Sequence, residues 1–199
     1  MTTIRPALDA AARATIAART EALLRRTGAL RDRHAELGDG SHVSVTLDPV
    51  ALLTDPLAVS ELCGLWVARL RDAGGHAVVD VVAGSGLVGG VVAFEMARQL
   101  GRPVVYLDEG RRSGGAVAAG DRVLLVDAVA EPGAALTDIV ATIEALGGEI
   151  VSCDVIADAS AEDRATIVSP SSGRVYPLRS LWQIQPFVVG PAALARGGR

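Results

Sequence analysis

"HAVVDVVAGSGLVGGVVAFEMARQLGRPVVYL", residues 76–107, decides the fold. Its Val-rich opening, "HAVVDVVAG", predicts a strand buried on both faces. The glycine-bearing stretch Gly84–Gly90 predicts a loop, "VVAFEMARQLG" a helix, and "PVVYL" a second strand. Strand, helix and strand joined by short connections make a parallel βαβ unit with a right-handed crossover. The alternation continues downstream. "DEGRRSGGAVAAGD" predicts a mobile loop, "RVLLVD" a third strand, "ALTDIVATIEALGG" a helix and "EIVSCDVIAD" a fourth strand. The expected fold class is therefore α/β, a central parallel sheet flanked by helices. Ligands of such sheets sit outside the carboxyl ends of the strands, where the segments 83–90 and 127–135 fall.

Upstream, Leu8, Ala11, Ala12, Ile16, Leu23 and Leu24 stand near helical spacing, so residues 7–36 predict one or two helices. "GDGSHVSVTLDP" alternates Val43, Val45 and Leu47 after a glycine turn and predicts an extended segment. "TDPLAVSELCGLWVARLRDAGG" predicts a helix that begins near Pro56 and stops at Gly74–Gly75. The expected layout is an N-terminal helical element over 1–40, an α/β domain over 41–185, and a frayed tail over 186–199. Within 166–187 we expect a short hairpin turning at Ser171–Gly173, then an irregular segment punctuated by proline. Trp182 and Phe187 there, with Arg179, either pack over a base or clasp the tail.

Composition narrows the function. Of the 199 residues 50% are hydrophobic but only 3% aromatic, so aliphatic side chains must fill the core. All 19 basic residues are arginine, which removes lysine from any catalytic role. A net charge of −4 argues against nonspecific nucleic-acid binding. No run approaches the ~18 apolar residues of a membrane span. Cys63 and Cys153 are far apart without ligand-like spacing, as expected of small buried hydrophobes in a reducing, cytoplasmic compartment.

Two stretches carry candidate chemistry. Gly84, Ser85, Gly86, Gly89 and Gly90 lie between a strand and a helix, where backbone amides approach an anion at a helix N-terminus. Their spacing is not G-x-G-x-x-G, which speaks against a dinucleotide fold. The second is "VLLVDAVAEPGAAL", residues 123–136: a strand, then Asp127 placed to accept from sugar hydroxyls, then a turn containing Gly133. Arg111 and Arg112 sit in the loop between the second and third strands, and the guanidinium fork suits phosphate. Asp80 caps or pairs an arginine, His42 is a packed or exposed side chain near the site, and His34 and His76 lie at element ends. No Ser-His-Asp or metal cluster assembles from spacing.

Taken in order, these elements resemble the type I phosphoribosyltransferases, and within them the orotate phosphoribosyltransferase branch. Val123–Val126, Asp127 and Gly133 match the family's motif for phosphoribosyl pyrophosphate (PRPP); "VVAGSGLVGG" is similar to its pyrophosphate loop. "LGDGSHVSVTLDPVALLTDP" resembles the branch's N-terminal segment, and the resemblance covers roughly residues 20–156. It implies PRPP-dependent glycosyl transfer to a pyrimidine-like base, with Asp127 on the ribose and Gly84–Gly90 on the pyrophosphate. It further implies that Gly133–Leu136 hold the ribose phosphate, that Mg²⁺ rides on the diphosphate, and that the chain forms a homodimer.

The departures lie in the chemistry. Ala128 replaces the family's second acid, and Glu131, Pro132, Ala134 and Ala135 stand where it has Thr, Ser or Gly. Ser41 stands where the branch often has a base, and the loop lacks the branch's Lys and His. A carboxylate at Glu131 ~5 Å from a phosphate charge costs about 3 kcal/mol at an effective dielectric of ~20. The sequence therefore leaves three readings open. One is an orotate-type transferase, another a non-catalytic nucleotide- or nucleoside-binding module, and the third a subunit supporting a competent homologous partner.

Overall fold

A computed structural model describes residues 10–37, 40–72, 78–108, 111–130, 136–159 and 166–185. Among them run α1 (Ala10–Arg26), β1 (Leu30–Glu36), β2 (His42–Leu47), α2 (Pro49–Leu52) and α3 (Pro56–Asp72). Next come β3 (Val81–Ser85), α4 (Gly86–Leu100), β4 (Val104–Asp108), β5 (Arg111–Gly114) and β6 (Arg122–Ala130). The chain continues through α5 (Leu136–Ala145), β7 (Glu149–Asp158), β8 (Thr166–Val168) and β9 (Val175–Gln183).

The main sheet has the order β5-β4-β3-β6-β7-β9-β8. Its inner strands β4, β3, β6, β7 and β9 are parallel, as the Val-rich runs predict, while the short strands β5 and β8 close the two edges antiparallel. Strand alternation sorts the core into two layers. Val82, Leu124, Val126 and Ile156 face α3 and α4, where Leu62, Trp66, Val92 and Met96 are fully buried. Val81, Ala83, Leu125 and Val155 face α5 through Ile139 and Ile143. Cys63 and Cys153 are buried free thiols, and burial pushes both well up from the ordinary thiol range.

Several local expectations are corrected. Residues 30–36 are not helical: Gly28, at φ 72°, ends the helical course, and Leu30–Glu36 pair antiparallel with His42–Leu47. The charged run "LRDRHAE" has no strand signature of its own, so this pairing is imposed by tertiary structure. The hairpin packs through Val43 on Ala157, Ala159 and Ile184, which sets it over the C-terminal ends of β7 and β9. Gly84–Gly90 is not a loop either, because β3 runs to Ser85 and α4 starts at Gly86. The arginine-bearing loop contains strand β5, β6 extends past Asp127 to Ala130, and the expected irregular segment is the nine-residue β9. The turn expected at Ser171–Gly173 is present between β8 and β9.

Two charged side chains pin the sheet's periphery. Asp80 receives Arg122 Nε at 2.7 Å and Nη2 at 2.8 Å, a bidentate pair that holds its carboxyl well below the usual range. Glu144 of α5 accepts four hydroxyls from the β8–β9 hairpin: Ser169 (2.6 Å), Ser171 (2.7 Å), Ser172 (2.6 Å) and Tyr176 (2.6 Å). Desolvation would raise this carboxyl, but the hydroxyl bonds outweigh it and hold it at about 2, against an ordinary 4.5. A depressed acid contributes stability above its unfolded value, so that contribution fades as pH falls from about 4.5 through about 2. Glu144→Ala is expected to cost about 2–3 kcal/mol, because Ser169 is buried and loses a charged acceptor. Thermal melts at neutral pH check this, and the gap between wild type and variant should narrow toward pH 2.

Candidate functional site

The candidate site lies where β3 ends beside the middle of β6. The two strands are parallel, with Gly84 opposite Val126, so Asp127 follows beside the start of α4. Three glycines make this junction possible by lacking a side chain. A Cβ at Gly84 would lie 2.0 Å from the Gly89 carbonyl oxygen and 2.6 Å from Ala93 Cβ. One at Gly89 would stand 3.1 Å from Asp127 Oδ1, and one at Gly90 3.4 Å from the Tyr106 ring. Gly86 serves differently: nothing crowds it, but its φ of 59° is one that side chains disfavour.

The helix that results is open at its N-terminus. Ser85 occupies the N-cap without a side-chain hydrogen bond to the first turn, and Gly86 and Leu87 are exposed. A fifteen-residue helix with uncapped amides presents donors and partial positive charge to an anion. Asp127 lies beside that turn. Its Oδ1 accepts the Ala128 amide at 2.7 Å, and burial pushes the carboxyl up from the ordinary aspartate value against that bond. No ion pair to Asp127 exists among the described residues. A half-buried, unpaired carboxylate next to an open helix terminus pairs an acceptor for hydroxyl donors with a cradle for an anion.

The structure thus brings Gly84, Ser85, Gly86, Gly89, Gly90 and Asp127 together. It leaves Arg111 and Arg112 on β5, two strands away from β3. Both are exposed, and Arg112 turns its Nη1 onto the Gly115 carbonyl of its own loop. Three strand spacings separate β5 from β6, about 14 Å, so these guanidinium groups do not converge on Asp127 in this conformation. Glu131, Gly133, Ala134 and Ala135 lie outside the described residues, as do His76 and Phe187. His42 stacks on His34 in the β1–β2 hairpin, ring centroids 4.9 Å apart, and neighbouring Ser41 is buried.

Sequence reasoning missed Tyr106. Its ring lies between Gly90 of α4 and Gly114 of β5, each of whose added Cβ would sit 3.4 Å from it. It thereby ties the arginine-bearing edge strand to the second turn of α4. The available signal was a lone tyrosine in a strand whose flanking segments both supply glycines.

No protein-family model matches the chain. The orotate phosphoribosyltransferase of Methylobacterium sp. (strain 4-46) is 28% identical over 152 residues, spanning 73% of this chain and 76% of that protein. Among solved structures, the orotate phosphoribosyltransferase from Aeropyrum pernix superposes with a TM-score of 0.66 at 23% identity, covering 82% of this chain and 93% of that one. The Leishmania donovani UMP synthase gives the same TM-score at 21% identity, covering 84% of this chain and 35% of its own. The order of elements agrees with these likenesses: the chain is a homologue of the orotate phosphoribosyltransferases, built on the type I phosphoribosyltransferase fold.

Proposed function

We propose that the chain binds PRPP across the C-terminal ends of β3 and β6 and carries out the reaction of its orotate phosphoribosyltransferase relatives, glycosyl transfer of phosphoribose to a pyrimidine-like base. One observation carries this reading: the Asp127 carboxylate beside the uncapped first turn of α4. Asp127 accepts from the ribose hydroxyls, and the free amides of the first turn, Ser85 to Val88, receive the departing pyrophosphate. Stabilising that anion with prearranged donors is the electrostatic part of the catalysis. Gly133–Leu136 hold the ribose phosphate in this reading.

Mg²⁺ prefers oxygen ligands and keeps several waters, bound through one or two carboxylates and substrate phosphates. Asp127 offers one such carboxylate, and no group of three His, Cys, Asp or Glu side chains suited to a metal exists among the described residues. The donor set fits an ion that arrives on the diphosphate, where it neutralises leaving-group charge.

Ala128 favours the second reading, a nucleotide-binding module without turnover or a subunit supporting a homologous partner, because one acid grips a ribose more weakly than two. Incubation with PRPP, Mg²⁺ and orotate, following orotate loss and pyrophosphate release, separates them. Turnover supports transfer; calorimetric PRPP binding without turnover moves the assignment to the second reading. Silence in both measurements overturns the PRPP assignment.

A homodimer accompanies this proposal. Leu87, Val91 and Phe94 recur at helical spacing on α4 and are 66%, 37% and 53% exposed, an apolar stripe suited to a second copy. Phe94→Glu is expected to shift a dimer to monomer in sedimentation experiments while leaving the melting temperature within a few degrees.

No helix among the described residues is long and apolar enough to cross a membrane.

A further inference from the structure

The inner face of β7 and β9 carries charge that the ribosyl site does not use. Asp154 alternates with Cys153 and Val155, so it points to the same side as Ile156, into the layer of α3 and α4, and is 1% exposed. The Ser152 hydroxyl donates to its Oδ1, while Oδ2 has no hydrogen-bond partner. The register sets Arg179 of β9 beside it. Arg69 of α3 reaches across and donates from Nη1 to the Ser180 carbonyl at 2.7 Å.

Between α1, α3 and the C-terminal half of β9 a pocket of about 200 Å³ opens, lined by Arg13, Ile16, Arg69, Ser180, Trp182 and Gln183 among others. Its charges do not balance. Arg13 and Arg69 form no ion pair among the described residues. Burial and the cations Arg179 and Arg13 all weaken the hold of Arg69 on its proton, with Asp154 the carboxylate that opposes them. Two guanidinium groups beside a pocket, short of counter-charge, call for an anion.

We propose that this pocket is a second small-molecule site, which takes a monocyclic carboxylate with its acid group between Arg13 and Arg69 and its ring against Ile16 and Trp182. The volume lies below the ~300–1,000 Å³ typical of sites for larger ligands, which limits the occupant to about one ring. The aliphatic and indole walls favour a monoanion with an apolar body over strongly hydrated inorganic phosphate. The site is separate from the ribosyl site: β9 stands two strands from β6, and none of the lining residues belongs to the β3–β6 junction.

Benzoate is the probe. The chain has two tryptophans, so in Trp66→Phe the fluorescence reports on Trp182. Saturable quenching by benzoate is expected, with at least a tenfold loss of affinity on adding Arg13→Gln, an exposed helix position, and none on adding Arg33→Gln. Should the core substitution at Trp66 fail to fold, calorimetry on the otherwise unaltered chain and on Arg13→Gln reads the same difference. Excess pyrophosphate should leave benzoate affinity unchanged. Unsaturable quenching, equal affinity in Arg13→Gln, tighter binding of inorganic phosphate than of benzoate, or mutual exclusion with pyrophosphate would each overturn the proposal.

Discussion

Gly84→Ala is expected to lower the melting temperature by about 8–16 °C, the equivalent of about 4 kcal/mol in a chain of this size. The added methyl would sit 2.0 Å from the Gly89 carbonyl oxygen, 2.5 Å from its carbon and 2.6 Å from Ala93 Cβ. Two of those atoms are backbone, so no rotamer relieves the clash. Helix α4 must move off β3, opening the layer in which Val92, Ala93 and Met96 are fully buried. Overpacking of a core usually costs ~1–3 kcal/mol, and more where the obstacle is main chain. Gly86→Ala is the control. Nothing lies within 4 Å of that position, and only its φ of 59° opposes a side chain, so a loss of ~1–2 kcal/mol is expected. Calorimetric melts of both variants check the ranking. A Gly84 variant as stable as the Gly86 variant would contradict the packing described here. Because Gly89 also abuts Asp127, the Gly84 variant should lose PRPP binding even at temperatures where it remains folded.

The same glycines show where sequence reasoning succeeds and where it stops. The strands at 81–85, 104–108, 122–130 and 149–158 are legible because parallel strands covered on both faces need uninterrupted Val, Leu and Ala. The glycine cluster reads as a loop because glycine is a poor helix former, yet Gly86–Gly90 are helical. What overrides propensity is contact with β3, β6 and Tyr106, which a linear pattern does not contain. Strand β1 is illegible for a related reason: Arg31–Arg33 and Glu36 are exposed on a hairpin, so no apolar alternation marks them. Asp127 is legible because a carboxylate directly after the hydrophobic run Val123–Val126 is conspicuous. Asp154 carries a similar signal, an acid within "SCDVIAD" at a position facing the core, but its arginine neighbours come from elements far away in sequence. The Glu144 cage likewise spans 25 to 32 residues of separation. The direction of Arg112, onto its own loop, follows from the register of an edge strand that composition does not announce.

Asp127→Asn is expected to separate ligand binding from stability. In the proposed complex the carboxylate receives ribose hydroxyls, and replacing a charged acceptor by a neutral one should weaken PRPP binding by about ten- to a hundredfold. The folded protein should gain. Asp127 is half-buried, accepts one amide, and has no ion-pair partner among the described residues, so its ionised form is poorly solvated. An acid whose folded value is raised contributes most stability while protonated, and that contribution is lost as pH rises from about 3.8 through the raised folded value. Asparagine keeps an oxygen for the Ala128 amide and removes the titration, so its stability above that window should match or exceed wild type. The two variants therefore oppose each other: Gly84→Ala loses fold and ligand together, whereas Asp127→Asn loses ligand while the melting temperature holds or rises. Calorimetric titration with PRPP and Mg²⁺, beside melts from pH 4 to 8, reads both quantities on one sample. A residue kept for packing would fall in stability with ligand affinity unchanged, and that result would remove Asp127 from the site. A carboxylate retained against its own desolvation cost, next to open helix amides, is instead what a polyhydroxylated anion needs from the end of a sheet.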